Sequence, residues 1–320
     1  MINKKWRKNI SLFQKYSLLM IYYGNKISFS SNNSNKKIIV CFDGLFSHGG
    51  LVDRLKGIIS FYEVAKILGY DFYIQFNHPF QLLHFLKPNI VNWEIKSEDL
   101  KYNPFNTKLI YLMDNFSVNP LEVIKNSKSK TFLVYSNIDY LHIIYNENTE
   151  VQNHHIWQTN YNELFRVSNE LNREIKKFPT DDRIVFHSRF TALMGDFKDS
   201  TDFVLDEKRK LELINILIEK IQEVVLAYPN KKIYVLSDSI VFLKHVKQYT
   251  SYIVLEGSPK HIGMKDNDND LESHYKTFID FYFMTKSDIV FLLKLDQMYC
   301  SEFSKYATIV GNKEFIILKE

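Results

Sequence analysis

A chain of 320 residues is long enough for one large domain or two ordinary ones, each with its own hydrophobic core. With 45% hydrophobic and 24% charged residues, its composition is that of a soluble globular protein. The net charge of +4 is too small to indicate a nucleic-acid-binding protein, and it suits an anionic small ligand. Only two cysteines are present, Cys41 and Cys300, so both are predicted to be buried, reduced thiols.

Residues 1–36 are predicted to form a basic N-terminal arm followed by a polar linker. The apolar run at 18–23 is too short to span a bilayer, and no small-residue cleavage site follows it. We therefore expect neither a membrane span nor a cleaved signal peptide, and we predict a cytoplasmic protein. The basic residues at 4–8 suit either a solvated arm or peripheral contact with an anionic membrane surface.

Residues 37–178 alternate short apolar runs with helical patterns. Strands are predicted at 38–42, 71–76, 108–113 and 130–135, and helices at 51–70, 79–86, 120–125 and 160–177. Strands that alternate with helices indicate a parallel sheet of Rossmann type, whose ligands gather beyond the C-terminal ends of the strands.

The turn after the first strand carries two adjacent glycines, Gly49 and Gly50, directly before a helix. Without side chains at these positions, backbone N–H groups at the helix N-terminus can approach an anion or a sugar hydroxyl. Asp53 and Arg54 follow on the first helical turn, beside this opening.

Residues 179–320 repeat the alternation after a predicted crossing at 178–182. Strands are predicted at 183–187, 232–236, 252–255 and 288–293, and helices at 207–228, 239–248, 274–285 and 301–310. The fold class is therefore α/β, with two Rossmann-like domains of about 150 residues each, an ordinary size for a domain.

Polar residues follow successive strands of the second half. His187 and Arg189 end one strand, and an arginine there can hold a diphosphate through charge-assisted hydrogen bonds or make an ordinary ion pair. Ser237, Asp238 and Ser239 end the next strand, where they suit either a helix cap or contacts with a nucleotide.

Ser301 and Ser304 begin the last predicted helix, as ordinary capping residues or as phosphate ligands supported by the helix N-terminus. No metal site is predicted. Asp266, Asp268 and Asp270 imitate the opening of a calcium loop, but Leu271 stands where that loop needs glycine.

Taken together, these motifs resemble the fucosyltransferase-like glycosyltransferases of GT-B architecture. The resemblance rests on four motifs in the same order, from residue 41 to residue 307. They are the glycine turn Gly49-Gly50-Leu51-Val52-Asp53-Arg54, the strand end His187-Ser188-Arg189, the trio Ser237-Asp238-Ser239, and a C-terminal block with His274, Lys276, Asp280, Ser301 and Ser304.

The resemblance implies two domains facing an interdomain cleft and inverting, metal-independent transfer of a sugar, with GDP-fucose as donor substrate and no cofactor. Arg189 would neutralise the diphosphate, and a carboxylate would act as general base, with Asp53 and Asp196 both open as candidates. The resemblance further implies nucleotide contacts by His187, Ser237, Asp238, Ser239, Ser301 and Ser304, and an acceptor side shaped by Gly49, Gly50 and Arg54.

The expected acceptor is a glycan or lipid-linked oligosaccharide in bacterial surface polysaccharide synthesis. Two departures from the family pattern keep alternatives open: Val52 replaces the second glycine of the turn, and Glu302 replaces a small residue. These alternatives are the same fold with a different nucleotide-deoxysugar donor, and a glycan-binding protein that has lost the reaction.

Overall fold

A computed structural model describes residues 4–29, 35–96, 100–197, 203–255, 257 and 271–319. The chain divides into two compact units, which we describe separately. Unit 1 comprises Met1–Leu82 with Pro88–Arg166, and unit 2 comprises Leu83–Lys87 with Val167–Glu320.

Unit 1 contains a parallel four-stranded sheet with helices connecting its strands. Its elements in chain order are α1 (Lys4–Gly24), β1 (Lys37–Phe42), α2 (Leu51–Leu68), β2 (Asp71–Phe76), β4 (Thr107–Tyr111), α3 (Pro120–Lys125), β5 (Thr131–Tyr135), α4 (Leu141–Ile144) and α5 (Glu150–Leu164). Two short strands, β3 (Leu86–Pro88) and β6 (Phe165–Val167), pair with each other where the chain passes between units.

The sheet of unit 1 has the strand order β2-β1-β5-β4, and every pair is parallel. The chain runs from β1 outward to β2 and later returns to the other side of β1 with β5. The C-terminal ends of β1 and β5 therefore form a topological switch point, where α/β sheets bind their ligands.

Helix α2 packs closely against the sheet and the segment after β5. Its N-terminal turn is closed by the Asp53 carboxylate, which accepts a hydrogen bond from the Gly50 N–H at 3.0 Å. A β-carbon at Gly57 would lie 2.2 Å from the Ser136 carbonyl oxygen, so only glycine lets the helix approach the segment after β5 this closely. The Ser60 hydroxyl accepts the Tyr140 N–H at 2.8 Å and ties the helix to the same segment.

The N-terminal stretch differs from the predicted arm, because it forms helix α1 and contributes to the core of unit 1. Leu19 and Tyr23 are fully buried beside Ile39 and Leu133 of the sheet. Residues 30–34 of the predicted linker lie outside the described residues. Among the described helices, none is both long and apolar enough to cross a membrane.

Unit 2 is built around a parallel five-stranded sheet. Its elements are α6 (Asn169–Ile175), β7 (Arg183–Ser188), α7 (Glu207–Val225), β8 (Lys232–Ser237), α8 (Ile240–Tyr249), β9 (Ile253–Val254), α9 (Leu271–Thr285), β10 (Ile289–Leu293), α10 (Glu302–Gly311) and β11 (Glu314–Leu318). The order β11-β10-β7-β8-β9 places the switch point between β7 and β10.

The passage between units lies at Arg166 and Val167 rather than at 178–182. The single helix predicted at 160–177 is in fact three elements, α5, β6 and α6. Ser168 separates them because its hydroxyl accepts the Leu171 N–H at 3.1 Å and so starts a new helix.

Three smaller expectations also differ. The helix predicted at 79–86 contains only a 3-10 turn at Leu82–His84. Strand β11 was not predicted. Cys41 is buried as expected, whereas Cys300 is exposed.

We expect Gly57→Ala to destabilise the protein by about 2 kcal/mol, because the added methyl group overlaps the Ser136 carbonyl in a packed core. Urea unfolding followed by circular dichroism measures the change. Gly24→Ala is the matched control, since no atom of the described part of the chain lies within 4 Å of the added carbon. Equal stability of the two variants would contradict the close approach of α2.

Candidate functional site

The candidate site of unit 2 begins at the C-terminal end of β7. His187 and Ser188 are the last buried residues of that strand, and Arg189 follows them at the switch point. Because β10 is the neighbouring strand, residues between β10 and α10 converge on the same edge. The Tyr299 N–H donates to the Arg189 carbonyl oxygen at 3.1 Å and joins the two segments.

The side chain of Arg189 is oriented by two contacts and remains partly exposed. Its Nε lies 3.4 Å from Oδ2 of Asp238, and 18% of the side chain is exposed. The guanidinium carbon lies 4.7 Å from the centroid of the Phe197 ring, a cation–π contact that restrains its plane. The structure thus presents an oriented cation whose side chain is partly exposed.

Asp238 anchors the loop that carries Arg189. Its two carboxylate oxygens accept the N–H groups of Phe190 and Thr191, each at 2.8 Å. Burial raises the pKa of Asp238, while Arg189 and the two N–H donors act in the opposite direction. Since both oxygens are occupied by this loop, Asp238 positions Arg189, and its predicted contact with a nucleotide remains a prediction.

Ser237 and Ser239 are also engaged within the protein. The Ser188 hydroxyl donates to Oγ of Ser237 at 2.9 Å, which joins the ends of β7 and β8. Ser239 caps α8 by accepting the Phe242 N–H at 3.1 Å. Both serines are buried, so the structure shows a scaffold and leaves their nucleotide contacts as predictions.

Asp196 lies beside this trio. Its Oδ2 accepts hydrogen bonds from the Ser239 hydroxyl at 3.0 Å and from the Val241 N–H at 2.7 Å. Its Oδ1 is buried and has no hydrogen-bond partner among the described residues. The carboxylate therefore caps the start of α8 from outside the helix.

His187 and Ser304 are brought together across β7 and α10. Nδ1 of His187 lies 3.2 Å from Oγ of Ser304, and both side chains are buried. Burial, with the nearby charges of Arg189 and Lys276, lowers the pKa of His187 to about 3. The imidazole is consequently neutral at physiological pH. Ser301 caps α10 by accepting the Phe303 N–H at 3.3 Å.

Helix α9 carries a buried ion pair between two residues that the sequence analysis placed in the C-terminal block without a role. Lys276 and Asp280 are one helical turn apart, and their side chains bond to each other with under a tenth of either exposed. Burial raises the pKa of Asp280, and the Lys276 ammonium opposes that shift. The i, i+4 spacing of opposite charges on an apolar helix is the signal that reveals such a pair.

The glycine turn of unit 1 has the predicted form. Gly49 has a φ of +75°, and a β-carbon there would lie 2.7 Å from the Asp53 carboxylate. Asp53 accepts the Gly50 N–H and lies 3.4 Å from Nζ of Lys56, while 43% of its side chain is exposed. Asp53 is therefore accessible as well as structural.

Arg54, in contrast, is almost fully enclosed. Its Nε donates to the Gly49 carbonyl at 3.2 Å and its Nη1 to the His78 carbonyl at 2.5 Å. The guanidinium carbon lies 4.9 Å from the centroid of the Phe76 ring, and burial lowers the pKa of Arg54 to about 9. Arg54 holds the glycine turn in shape, and an acceptor contact remains a prediction.

The sequence interpretation missed a polar cluster at the switch point of unit 1. Oδ2 of Asp43 accepts the Tyr135 hydroxyl at 2.7 Å, and that hydroxyl lies 2.9 Å from the one of Tyr23. Nε2 of His48 lies 3.8 Å from Oδ1 of Asp43, with both side chains buried. The position of Asp43 directly after a buried strand could have revealed it. Among the described residues, no three His, Cys, Asp or Glu side chains are placed to hold a metal ion.

Solved structures share the fold of this chain at low sequence identity. The chain matches no protein-family model and no curated protein sequence. It is similar to a mutant of Arabidopsis thaliana FUT1 in complex with GDP, at 12% identity and a TM-score of 0.58, over 95% of this chain and 74% of that one. It is also similar to the NodZ alpha-1,6-fucosyltransferase soaked with GDP-fucose, at 15% identity and a TM-score of 0.53, over 87% and 93% of the two chains.

A third similar structure is the fucosyltransferase NodZ from Bradyrhizobium, at 14% identity and a TM-score of 0.54, over 86% of this chain and 92% of that one. The chain has the fold of these fucosyltransferases. The likeness extends through both units, so the predicted α/β class with two Rossmann-like sheets is confirmed.

The burial of the neutral His187 predicts how the stability of the protein depends on pH. Because its folded pKa of about 3 lies below its unfolded pKa of about 6.5, the unfolded chain binds the proton first as pH falls. The contribution of His187 to the free energy of unfolding is retained above pH 6.5 and is lost progressively toward pH 3. Between pH 7.5 and 5.5 we expect the free energy of unfolding to fall by about 1.4 kcal/mol more in the wild type than in His187→Asn.

Urea unfolding at the two pH values measures this difference. The asparagine amide can replace Nδ1 as the partner of Ser304, so the variant removes the titration with little loss of packing. His142→Asn, at an exposed position, is the matched control and should follow the wild type. Parallel pH dependence of His187→Asn and wild type would contradict a neutral buried imidazole.

Proposed function

We propose that this protein is a fucosyltransferase-like glycosyltransferase that uses GDP-fucose as donor substrate. The observation that carries the proposal is Arg189, an oriented and accessible cation at the switch point of unit 2. The fold supports it, because similar structures have been solved with GDP and with GDP-fucose.

In the proposed reaction, an acceptor hydroxyl oxygen attacks the anomeric carbon of fucose while the bond from that carbon to the diphosphate breaks. The configuration inverts, the hydroxyl proton passes to a carboxylate, and GDP leaves. Arg189 and the N-terminus of α10 would stabilise the charge that develops on the diphosphate, so no metal ion is required.

The geometry supports a division of labour among the remaining residues of unit 2. Ser301, the N-cap of α10, is the proposed phosphate contact, and Ser304, which is fully buried beside His187, would act by fixing the start of that helix. Asp238 acts as a positioning residue for Arg189. Ser237 and Ser239 would act on the nucleotide chiefly by fixing the strand ends around it.

The exposure of the two candidates for general base supports a choice between them. A base must reach the acceptor hydroxyl, within about 3 Å in the productive complex. Asp53 has 43% of its side chain exposed. Asp196 uses Oδ2 as a helix cap and has its other oxygen buried. Accessibility therefore favours Asp53, with Gly49 and Gly50 leaving space for the acceptor beside it.

We propose a glycan or lipid-linked oligosaccharide as acceptor, in cytoplasmic synthesis of a bacterial surface polysaccharide. A donor carrying another deoxysugar uses the same machinery, and a panel of nucleotide sugars distinguishes the two cases.

A glycan-binding protein without activity is the second candidate, and one observation favours it. Glu302 lies on the first turn of α10, where its negative charge stabilises the helix but opposes a diphosphate at the same N-terminus. Glycan binding without measurable affinity for GDP would favour this candidate.

Calorimetry with GDP tests the proposed function directly. We expect the wild type to bind GDP and Arg189→Ala to bind it at least about tenfold more weakly, since a charged hydrogen bond to phosphate is lost. Turnover of GDP-fucose should fall about 100-fold or more in the same variant. Arg173→Ala, at an exposed arginine of unit 2, is the matched control. Wild-type turnover in Arg189→Ala would reject the site.

Asp53→Asn and Asp196→Asn test the choice of base. We expect Asp53→Asn to reduce turnover about 100-fold or more with GDP affinity unchanged, because a general base acts only on the chemical step. Asp196→Asn should instead lower the unfolding midpoint with a smaller loss of turnover, because it weakens a helix cap. Kinetics and urea unfolding of both variants are the measurements. The reverse pattern would assign the base to Asp196.

A further inference from the structure

Helix α1 has two apolar sides, and only one of them is used by the core. Leu19 and Tyr23 are buried against the sheet of unit 1. Phe13, Met20 and Ile21 are exposed, with 73%, 51% and 69% of their surfaces open. Large apolar side chains exposed together on one helix mark an interaction surface.

The exposed apolar surface continues beyond the helix. Tyr102 connects the two parts, because its hydroxyl contacts the sulfur of Met20 at 3.4 Å and its carbonyl accepts the Ser28 N–H at 2.9 Å. Beside this connection, the rings of Phe29 and Phe105 lie 6.2 Å apart, and both are mostly exposed. We call this surface the N-terminal patch, which comprises Phe13, Met20, Ile21, Ile27, Phe29 and Phe105.

The sequence segment that carries most of the N-terminal patch has only basic charged residues. Residues 1–42 contain eight lysines and arginines and no aspartate or glutamate, whereas the remaining 278 residues have an excess of four acidic side chains. Four of the basic residues, Lys4, Lys5, Arg7 and Lys8, belong to the first two turns of α1. The positive charge of the sequence is therefore concentrated in the segment that carries most of the exposed apolar side chains.

We infer that the N-terminal patch docks on a membrane surface containing anionic phospholipids. An amphipathic helix with aromatic and aliphatic residues on one side and lysines and arginines nearby lies in the interface plane of such a membrane. Each basic side chain adds to the attraction by the negative headgroups. A second copy of the chain fits less well, because it would bring another N-terminal segment of the same charge to the contact.

Docking in this way is independent of the proposed reaction and requires no bound nucleotide. If the chain also transfers fucose, the surface would keep it where lipid-linked acceptors are found. Vesicle binding therefore tests the docking surface, and turnover of GDP-fucose tests the proposed reaction, each independently of the other.

Co-sedimentation of the full chain with vesicles tests the inference. Vesicles of phosphatidylcholine alone are compared with vesicles containing about 30% phosphatidylglycerol, at 0.1 M and 0.5 M NaCl. We expect binding to the anionic vesicles at low salt, and at least about tenfold weaker binding to neutral vesicles or at high salt.

Two sets of variants separate the apolar and the charged contributions. Phe13→Ser with Ile21→Ser should reduce binding at least about tenfold, and Phe116→Ser, at an equally exposed phenylalanine outside the patch, should not. Replacement of Lys4, Lys5, Arg7 and Lys8 by glutamine should also abolish the preference for anionic vesicles. The matched control replaces the exposed Lys125, Lys128, Lys208 and Arg209 by glutamine.

Circular dichroism confirms that each variant is folded, and analytical ultracentrifugation gives its oligomeric state. Absence of wild-type binding to either vesicle would overturn the inference, as would equal binding to neutral and anionic vesicles. It would also be overturned if Phe13→Ser with Ile21→Ser dissociates a dimer while vesicle binding is unchanged, since the patch would then be a contact between copies.

Discussion

The candidate site depends on one buried carboxylate, that of Asp238. Moving a charged carboxylate out of water is costly unless its oxygens are hydrogen-bonded. Here each oxygen accepts a backbone N–H, from Phe190 and from Thr191, and Arg189 lies beside them. The same bonds that offset the desolvation of Asp238 also fix the backbone from which Arg189 extends. Loss of this carboxylate would leave the arginine on a loop without its anchor.

The two units use similar chemistry at their switch points, although with opposite signs of charge. In unit 2 a buried anion accepts backbone N–H groups, and in unit 1 the buried Arg54 donates to the carbonyls of Gly49 and His78. In both cases a charged side chain replaces the regular hydrogen bonds that a turn cannot form for itself. The turns at the two switch points are consequently fixed without relying on a bound ligand.

Regular elements were predictable from the sequence wherever hydrophobic spacing and capping agreed. Strand β2 and helix α3 have the predicted bounds, and the alternation of strands and helices gave the parallel sheets. The prediction at 160–177 was wrong because the helical spacing continues across Ser168, whereas the structure interrupts it with the pairing of β6 and β3 and with the cap at Ser168. Helix α1 was missed as part of the core because its buried positions alternate with basic and exposed apolar ones.

The places of the candidate site residues in the fold were predictable from the sequence, but the direction of their hydrogen bonds was not. Strand-end logic identified Arg189 and Asp238, because parallel strands bring their C-terminal ends to one edge. Applied to β1, the same logic would have identified Asp43. A sequence does not show whether a polar side chain turns toward solvent or back into the protein, and that distinction separates the accessible Asp53 from the enclosed Arg54 one residue later.

The charge balance in unit 2 explains why positioning matters more here than the amount of charge. Lys276 is neutralised by Asp280, His187 is neutral, and part of the field of Arg189 is offset by Asp238. A diphosphate would thus meet a modest net positive charge, opposed further by Glu302 on the first turn of α10. Binding and leaving-group stabilisation would then rest on the fixed orientation of one guanidinium and of the N–H groups that begin α10, whose dipoles need no rearrangement as charge develops.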